Sequence, residues 1–250
     1  MSALSHALTL VRQALAKQSA GASFTELIEG TTIPRASAHR IAKELVELGL
    51  LEFDAEQKRY RGGMMLATFG FQVIAHYDVR KSSRPAMQML HDRLGQTVTL
   101  GIRDGTTGVY LDKIEDEQLK LRLHSEIGKT FPLHCTAMGK VMLALGEESS
   151  RNRVLASGLE GFTPNTITHA GRLQSELSEI AQQGFAIDNE EITRGFICLA
   201  APIFAFDGNL SGAMSFTCEK HLFEELTIER IRDEVLEAAR MASGGATTAA

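Results

Sequence analysis

The sequence predicts an α+β protein in two parts: a small winged helix-turn-helix, then a larger domain built on a mainly antiparallel sheet. Three observations predict it. Residues 1–63 hold three short helix-period stretches closed by a basic hairpin. Residues 64–76 form an apolar stretch without the alternation of a strand, and beyond residue 95 alternating strands appear with helices between them. At 250 residues and 44% hydrophobic, the chain is long and apolar enough to bury a core in each part.

Leu4, Leu8, Val11 and Leu15 recur at helical spacing, so residues 3–17 read as a first amphipathic helix with that stripe as its core face. Ser23 caps a second helix bearing Phe24, Leu27 and Ile28, with Glu26 at the capping-box spacing. Gly30-Thr31-Thr32 ends it, and Pro34 opens a third helix from its first turn, where its missing N–H is no loss. Over residues 34–48, Ala38, Ile41, Leu45 and Leu48 share one face. Ala36, Arg40, Lys43 and Glu47 lie opposite, with His39 at the edge.

A short helix, a tight turn and a longer helix with a basic, small-residue start is the arrangement that lays its second helix in the major groove. Arg35, Ser37, His39, Arg40 and Lys43 are therefore the candidate DNA-facing residues of that helix, with base and phosphate contacts left open. Residues 50–53 and 58–61 read as two strands joined by Asp54-Ala55-Glu56-Gln57. This wing's returning strand carries Lys58, Arg59 and Arg61, suited to phosphates. A packing module with solvated basic residues is the plainer alternative.

Charge distribution matters more than its sum of −5. Residues 1–63 carry eight Lys and Arg against seven Asp and Glu, leaving 18 against 24 of the chain's 26 and 31 for the remainder. The acidity lies in the second part. Cys135, Cys198 and Cys218 fit neither a disulfide framework nor a zinc pattern, so reduced thiols are expected, with no metal and no cofactor. No apolar run reaches the roughly 20 residues that cross a bilayer, and the first residues lack signal-peptide character, so a cytoplasmic protein with no membrane partner is expected.

The run at 64–75, from Met64 to Ala75, is too apolar for a flexible tether and reads as a linker helix, 64–76, whose surplus apolar surface suits a second subunit or a buried intrachain site. Residues 78–94 read as a helix containing Pro85, with Met87, Leu90 and Leu94 on its stripe. Strands follow at 97–103, 109–114, 119–124, 185–188, 196–204 and 210–218. Helices are expected at 136–144, 148–156, 171–183 and 227–241, and residues 243–250 as a disordered tail.

The run Pro132-Leu133-His134-Cys135-Thr136-Ala137-Met138-Gly139-Lys140 resembles the signature of the isocitrate lyase regulator (IclR) family. Leu111-Asp112-Lys113-Ile114-Glu115 and Gly184-Phe185-Ala186-Ile187-Asp188-Asn189-Glu190-Glu191, continued by Gly195 and Cys198, are similar to two further blocks of that family, in the right order. The resemblance implies a DNA-binding transcription regulator with a winged helix domain at 1–63 and a GAF-like effector-binding domain at 77–242. It also implies assembly as a homodimer or a dimer of dimers. Carried over residue by residue, it places effector contacts at Ala137, Met138, Asp188, Cys198, Ser215 and Thr217. A helix start near 136–139 favours an anion, and Ser215 and Thr217, two apart on a strand, point to one face. The implied partners are double-stranded operator DNA and a small organic acid.

Two other functions compete. A hydrolase using Cys135 or Cys198 with His134 as base is opposed by the adjacency of His134 and Cys135, whose side chains point apart on an extended backbone, and by the lack of a Gly-x-Ser-x-Gly elbow. A ligand-independent DNA-binding or architectural protein would show no ligand-dependent change in thermal stability across a panel of metabolites. His134 itself reads as a hydrogen-bonded loop anchor.

Overall fold

In the computed structural model, which describes residues 2–74, 78–115 and 125–244, the chain divides into two compact units, Met1–Tyr77 and Asp78–Ala250. The strand expected at 119–124 lies outside the described residues, as do 75–76 of the linker and 245–250 of the tail.

The first unit opens with α1, Ala3–Ala16, whose buried face is Leu10, Val11 and Ala14. The expected stripe is therefore wrong in all but Val11: Leu4 is 80% exposed, and Leu8 and Leu15 are also exposed. Apolar residues occupy so much of this helix's circumference that two stripes fit the period, and packing selects the one carrying the small Ala14. The capping box of α2, Phe24–Ile28, is fully formed: Glu26 N donates to Ser23 Oγ and Ser23 N donates to Glu26. Helix α3, Arg35–Glu47, buries Ala38, Ile41, Ala42 and Leu45. Pro34 sits at its N-cap rather than in its first turn, and Leu48, just past its end, is exposed rather than packed.

The wing pairs β2, Leu51–Asp54, with β3, Arg59–Gly62. Sequence reading missed β1, Ala22–Ser23, which adds to β3 and makes a three-stranded sheet of order β1-β3-β2. Gly63 allows the chain to turn from wing into linker, because a Cβ there would lie 2.1 Å from the Gly49 carbonyl oxygen. Helix α4, Met64–Ile74, follows at once, its start tied down by Met65 N donating to Gly49 O. Leu66 packs on the core of this unit, whereas Met64, Phe69, Phe71 and Val73 are exposed.

The second unit begins with α5, Asp78–Leu94, and continues through β4, Thr97–Asp104, and β5, Thr107–Ile114. A short β6, Thr130–Pro132, missed by the sequence pattern, precedes α6, Ala137–Leu145, and α7, Glu148–Ala156. Then come α8, Ala170–Gln183, β7, Ala186–Asn189, β8, Phe196–Phe204, β9, Leu210–Glu219, α9, Lys220–Leu226, and α10, Ile228–Ala242. Helix α9 was not expected.

Among the described residues, six strands form one antiparallel sheet of order β6-β5-β4-β9-β8-β7. Period-2 alternation separates its faces. Thr99 pairs with Ser215, Cys198 with Thr217 and Asp188 with Cys198, so these five share the face toward α6. Leu100, Met214 and Leu199 belong to the opposite face, toward α5 and α10, and are fully buried. In β5 the register shifts, with Asp112 opposite Leu100 and Tyr110 opposite Gly101, leaving Leu111 as the extra residue of a bulge. Two residues that a regular strand would put on one face thus face opposite ways. Tyr110 meets Phe131 on the α6 side, while Asp112 pairs with Arg80 and Arg84 of α5.

Candidate functional site

All six residues expected to contact an effector, Ala137, Met138, Asp188, Cys198, Ser215 and Thr217, line one small cavity of about 60 Å³ in the second unit. The sheet supplies its floor and the start of α6 its roof. Thr136 fixes that start, its hydroxyl donating to Pro132 O (2.8 Å) and accepting from Gly139 N (3.2 Å). Gly139 is needed there, because a Cβ would lie 2.4 Å from the Leu133 backbone. The first N–H groups of a helix have no intrahelical acceptor. Those of Ala137 and Met138 find no protein acceptor among the described residues and carry the positive end of the helix dipole.

On the floor, Thr99 Oγ1 and Ser215 Oγ are 2.6 Å apart, and Thr217 Oγ1 donates to Cys198 Sγ at 3.2 Å. Asp188 is buried, with Oδ1 accepting from Glu191 N at 2.7 Å. Burial drives its pKa up to about 7, with the Glu191 carboxylate adding to the rise, against the Glu191 backbone N–H and the Lys140 charge. Burial and the nearby Asp188 push the Cys198 thiol well above its usual range. Burial does the same to Cys135 and brings Cys218 to about 12. His134 Nε2 lies 2.9 Å from Glu160 O, the loop anchor expected of it.

Thr136, placed by the helix-start argument, also lines the cavity, and sequence reasoning missed six further lining residues: Thr99, Tyr110, Ser125, Ile192, Thr193 and Phe196. Thr99 was within reach, since the Thr97-Val98-Thr99-Leu100 alternation puts polar groups on one face of an otherwise apolar strand. It also missed Lys140, a fully buried lysine whose ammonium donates to Glu176, Glu191 and Ile187 O. Burial opposes its charge, but Glu191 and Glu176 outweigh that and keep its pKa above the ordinary value. A lone lysine within the apolar stretch 137–145 was the available signal.

In the first unit, the candidate DNA-facing residues of α3 lie on its free side. Arg35, His39, Arg40 and Lys43 are exposed and Ser37 is half-buried. His39 stacks on Phe24 with ring centroids 3.6 Å apart, and the Arg35 guanidinium lies 5.3 Å from the same ring. Arg40 and Lys43 are held loosely by Glu44 and Glu47, at 3.7 Å each. The wing cations differ among themselves. Lys58 is exposed at a positive φ of 53°, whereas Arg59 donates to Gly21 O at 2.8 Å and leans on Glu26. Arg61 pairs with Gln57 and Asp54.

A winged helix-turn-helix joined to a domain with a dipole-headed, hydroxyl-floored cavity defines a transcription regulator that answers to a small molecule. Comparison with known proteins agrees: the "IclR helix-turn-helix domain" matches residues 3–55 and the "Bacterial transcriptional regulator IclR C-terminal" domain matches residues 71–244. The chain belongs to the IclR family of transcriptional regulators. It is 30% identical to the HTH-type transcriptional regulator XynR of Escherichia coli over 89% of this chain and 88% of that one. The crystal structure of the Thermotoga maritima IclR matches with a TM-score of 0.78 at 31% identity, covering 97% of this chain and 98% of that one. An IclR homologue from Microbacterium hydrocarbonoxydans, complexed with 4-hydroxybenzoate, shares the fold with a TM-score of 0.84 at 20% identity over 98% of each chain.

Proposed function

We propose that a small carboxylate bound in the cavity of the second unit sets the affinity of α3 and the wing for operator DNA. The observation that carries this reading is the pair of N–H groups at Ala137 and Met138, without an acceptor among the described residues, set above hydroxyls and a buried carboxyl in one cavity. That combination suits an oxygenated anion of few atoms. The 4-hydroxybenzoate held by the Microbacterium relative belongs to the same chemical class.

Arg35, Ser37, His39, Arg40 and Lys43 are assigned to the major groove or its flanking phosphates, and Lys58, Arg59 and Arg61 to the backbone beside the wing. Of the last three, Lys58 is the most available, since Arg59 and Arg61 already have partners within the unit. The exposed apolar side chains of α4 suit a homodimer or a dimer of dimers. Turnover has no support in the geometry, because Cys135 is a buried thiol held in its neutral form.

Thermal unfolding of the full chain against small organic acids, 4-hydroxybenzoate included, tests the sensor, because a ligand that binds only the folded state raises the midpoint. The acid that does so is expected to change operator affinity in a gel-shift titration by roughly 5- to 150-fold, the usual range of coupling between sites. An acid that stabilises the protein and leaves operator affinity unchanged would overturn the control function.

A further inference from the structure

Charge, as well as the cavity's size of about 60 Å³, limits what it can hold. Among the described residues, its lining contains one carboxyl, Asp188, and no lysine, arginine or histidine. Among the described residues, the ammonium that bears on Asp188 is that of Lys140 of α6, and it is saturated: its three N–H groups go to Glu176 of α8, Glu191 and Ile187 O. Two carboxylates therefore already surround one cation. Lys113 of β5 pairs with Glu115. The other groups that bear on Asp188 are Cys198 of β8, Tyr110 of β5 and Cys135 ahead of α6, all kept neutral by burial.

A ligand carboxylate at the Ala137 and Met138 N–H groups would add a further negative charge beside Asp188. The helix start offers only about half a positive charge in return. Like charges in a desolvated site do not both stay ionised, and one of them takes a proton. One lining hydroxyl, Ser125 Oγ, is buried and has no hydrogen-bond partner among the described residues. It marks a place for an uncharged ligand oxygen.

We propose that the cavity binds a singly charged hydroxy- or oxo-carboxylate together with one proton held on Asp188, and rejects dicarboxylates. This rests on the effector reading above. Protonated Asp188 donates to the ligand carboxylate while its Oδ1 keeps the Glu191 N–H. Its elevated pKa, about 7 before any ligand arrives, makes that proton available near neutrality. Above that pH the binding-competent fraction falls tenfold per unit, and the apparent affinity falls with it.

The test is isothermal titration calorimetry of the full chain with two- to eight-carbon acids at pH 6.5, 7.5 and 8.5. Pyruvate, lactate and 4-hydroxybenzoate represent the monoacids, and malonate and phthalate the diacids. Monoacid binding is expected to weaken about tenfold from pH 7.5 to 8.5. At pH 8.5, buffers of different ionisation enthalpy should report close to one proton taken up per ligand. Diacids should bind at least about tenfold more weakly than monoacids. Asp188→Asn, which retains a carbonyl oxygen for the Glu191 N–H, should bind monoacids with no pH dependence. If that variant fails to fold, the wild-type proton count decides alone. Monoacid binding without proton uptake, or diacid binding of equal strength, overturns the proposal while leaving the sensor intact. Failure of every acid to bind overturns the effector reading itself.

Discussion

Arg40 and Lys140 are two cations of opposite circumstance, and their substitutions should fail in different assays. Arg40 lies on the free side of α3 and is loosely paired, so Arg40→Ala should leave urea unfolding within about 0.5 kcal/mol of wild type. Operator binding should weaken, and if the contact is to phosphate the salt slope should drop by about one. Equal affinity across a salt titration would remove α3's free side from the interface. Lys140 is fully buried between two carboxylates. Lys140→Met strands them, and loss of one partner of a buried pair costs about 3–5 kcal/mol. A shift below about 1 kcal/mol in chemical denaturation would contradict the role given to this ammonium. Sequence exposed the first residue readily, since facing is local. The second was hidden because its partners lie 36 and 51 positions away.

Among elements, those with several turns or a clear alternation were legible and the shortest were not. Helix α5 and strand β8 lie where periodicity put them, because each has enough residues for burial to repeat. A strand of two residues, β1, or three, β6, cannot show alternation at all, and only pairing with β3 or β5 defines it. In α1 the period was right and the face wrong, since periodicity reports a helix but does not choose between two apolar sides. The six cavity residues became legible only through family resemblance. Their convergence depends on strand pairing that no single stretch reveals. At the start of α6 the fit is tight enough to predict from: Gly139→Ala pushes a Cβ to within 2.4 Å of the Leu133 backbone. The variant should lose about 1–3 kcal/mol of stability and its carboxylate binding, because displacing the helix start misaims the Ala137 and Met138 N–H groups. Undiminished ligand affinity in calorimetry would separate that glycine from the site.

For the whole molecule, α4 is the element whose apolar surface exceeds what its own unit covers. Phe71→Asp, at a position 68% exposed, should leave each unit folded and shift the chain toward monomer in light scattering. Operator affinity should fall accordingly, since two half-sites are then read separately. An unchanged mass would take α4 out of the self-association surface. The ammonium of Lys140 has one more consequence at this scale. Among the described residues strand β7 ends the sheet, and an uncovered sheet edge is a template on which foreign chains add strands. Here the Ile187 carbonyl is already bonded to Lys140, with the carboxylates of Glu176 and Glu191 standing beside it. The contact that organises the interior therefore also discourages strand-by-strand aggregation at this edge.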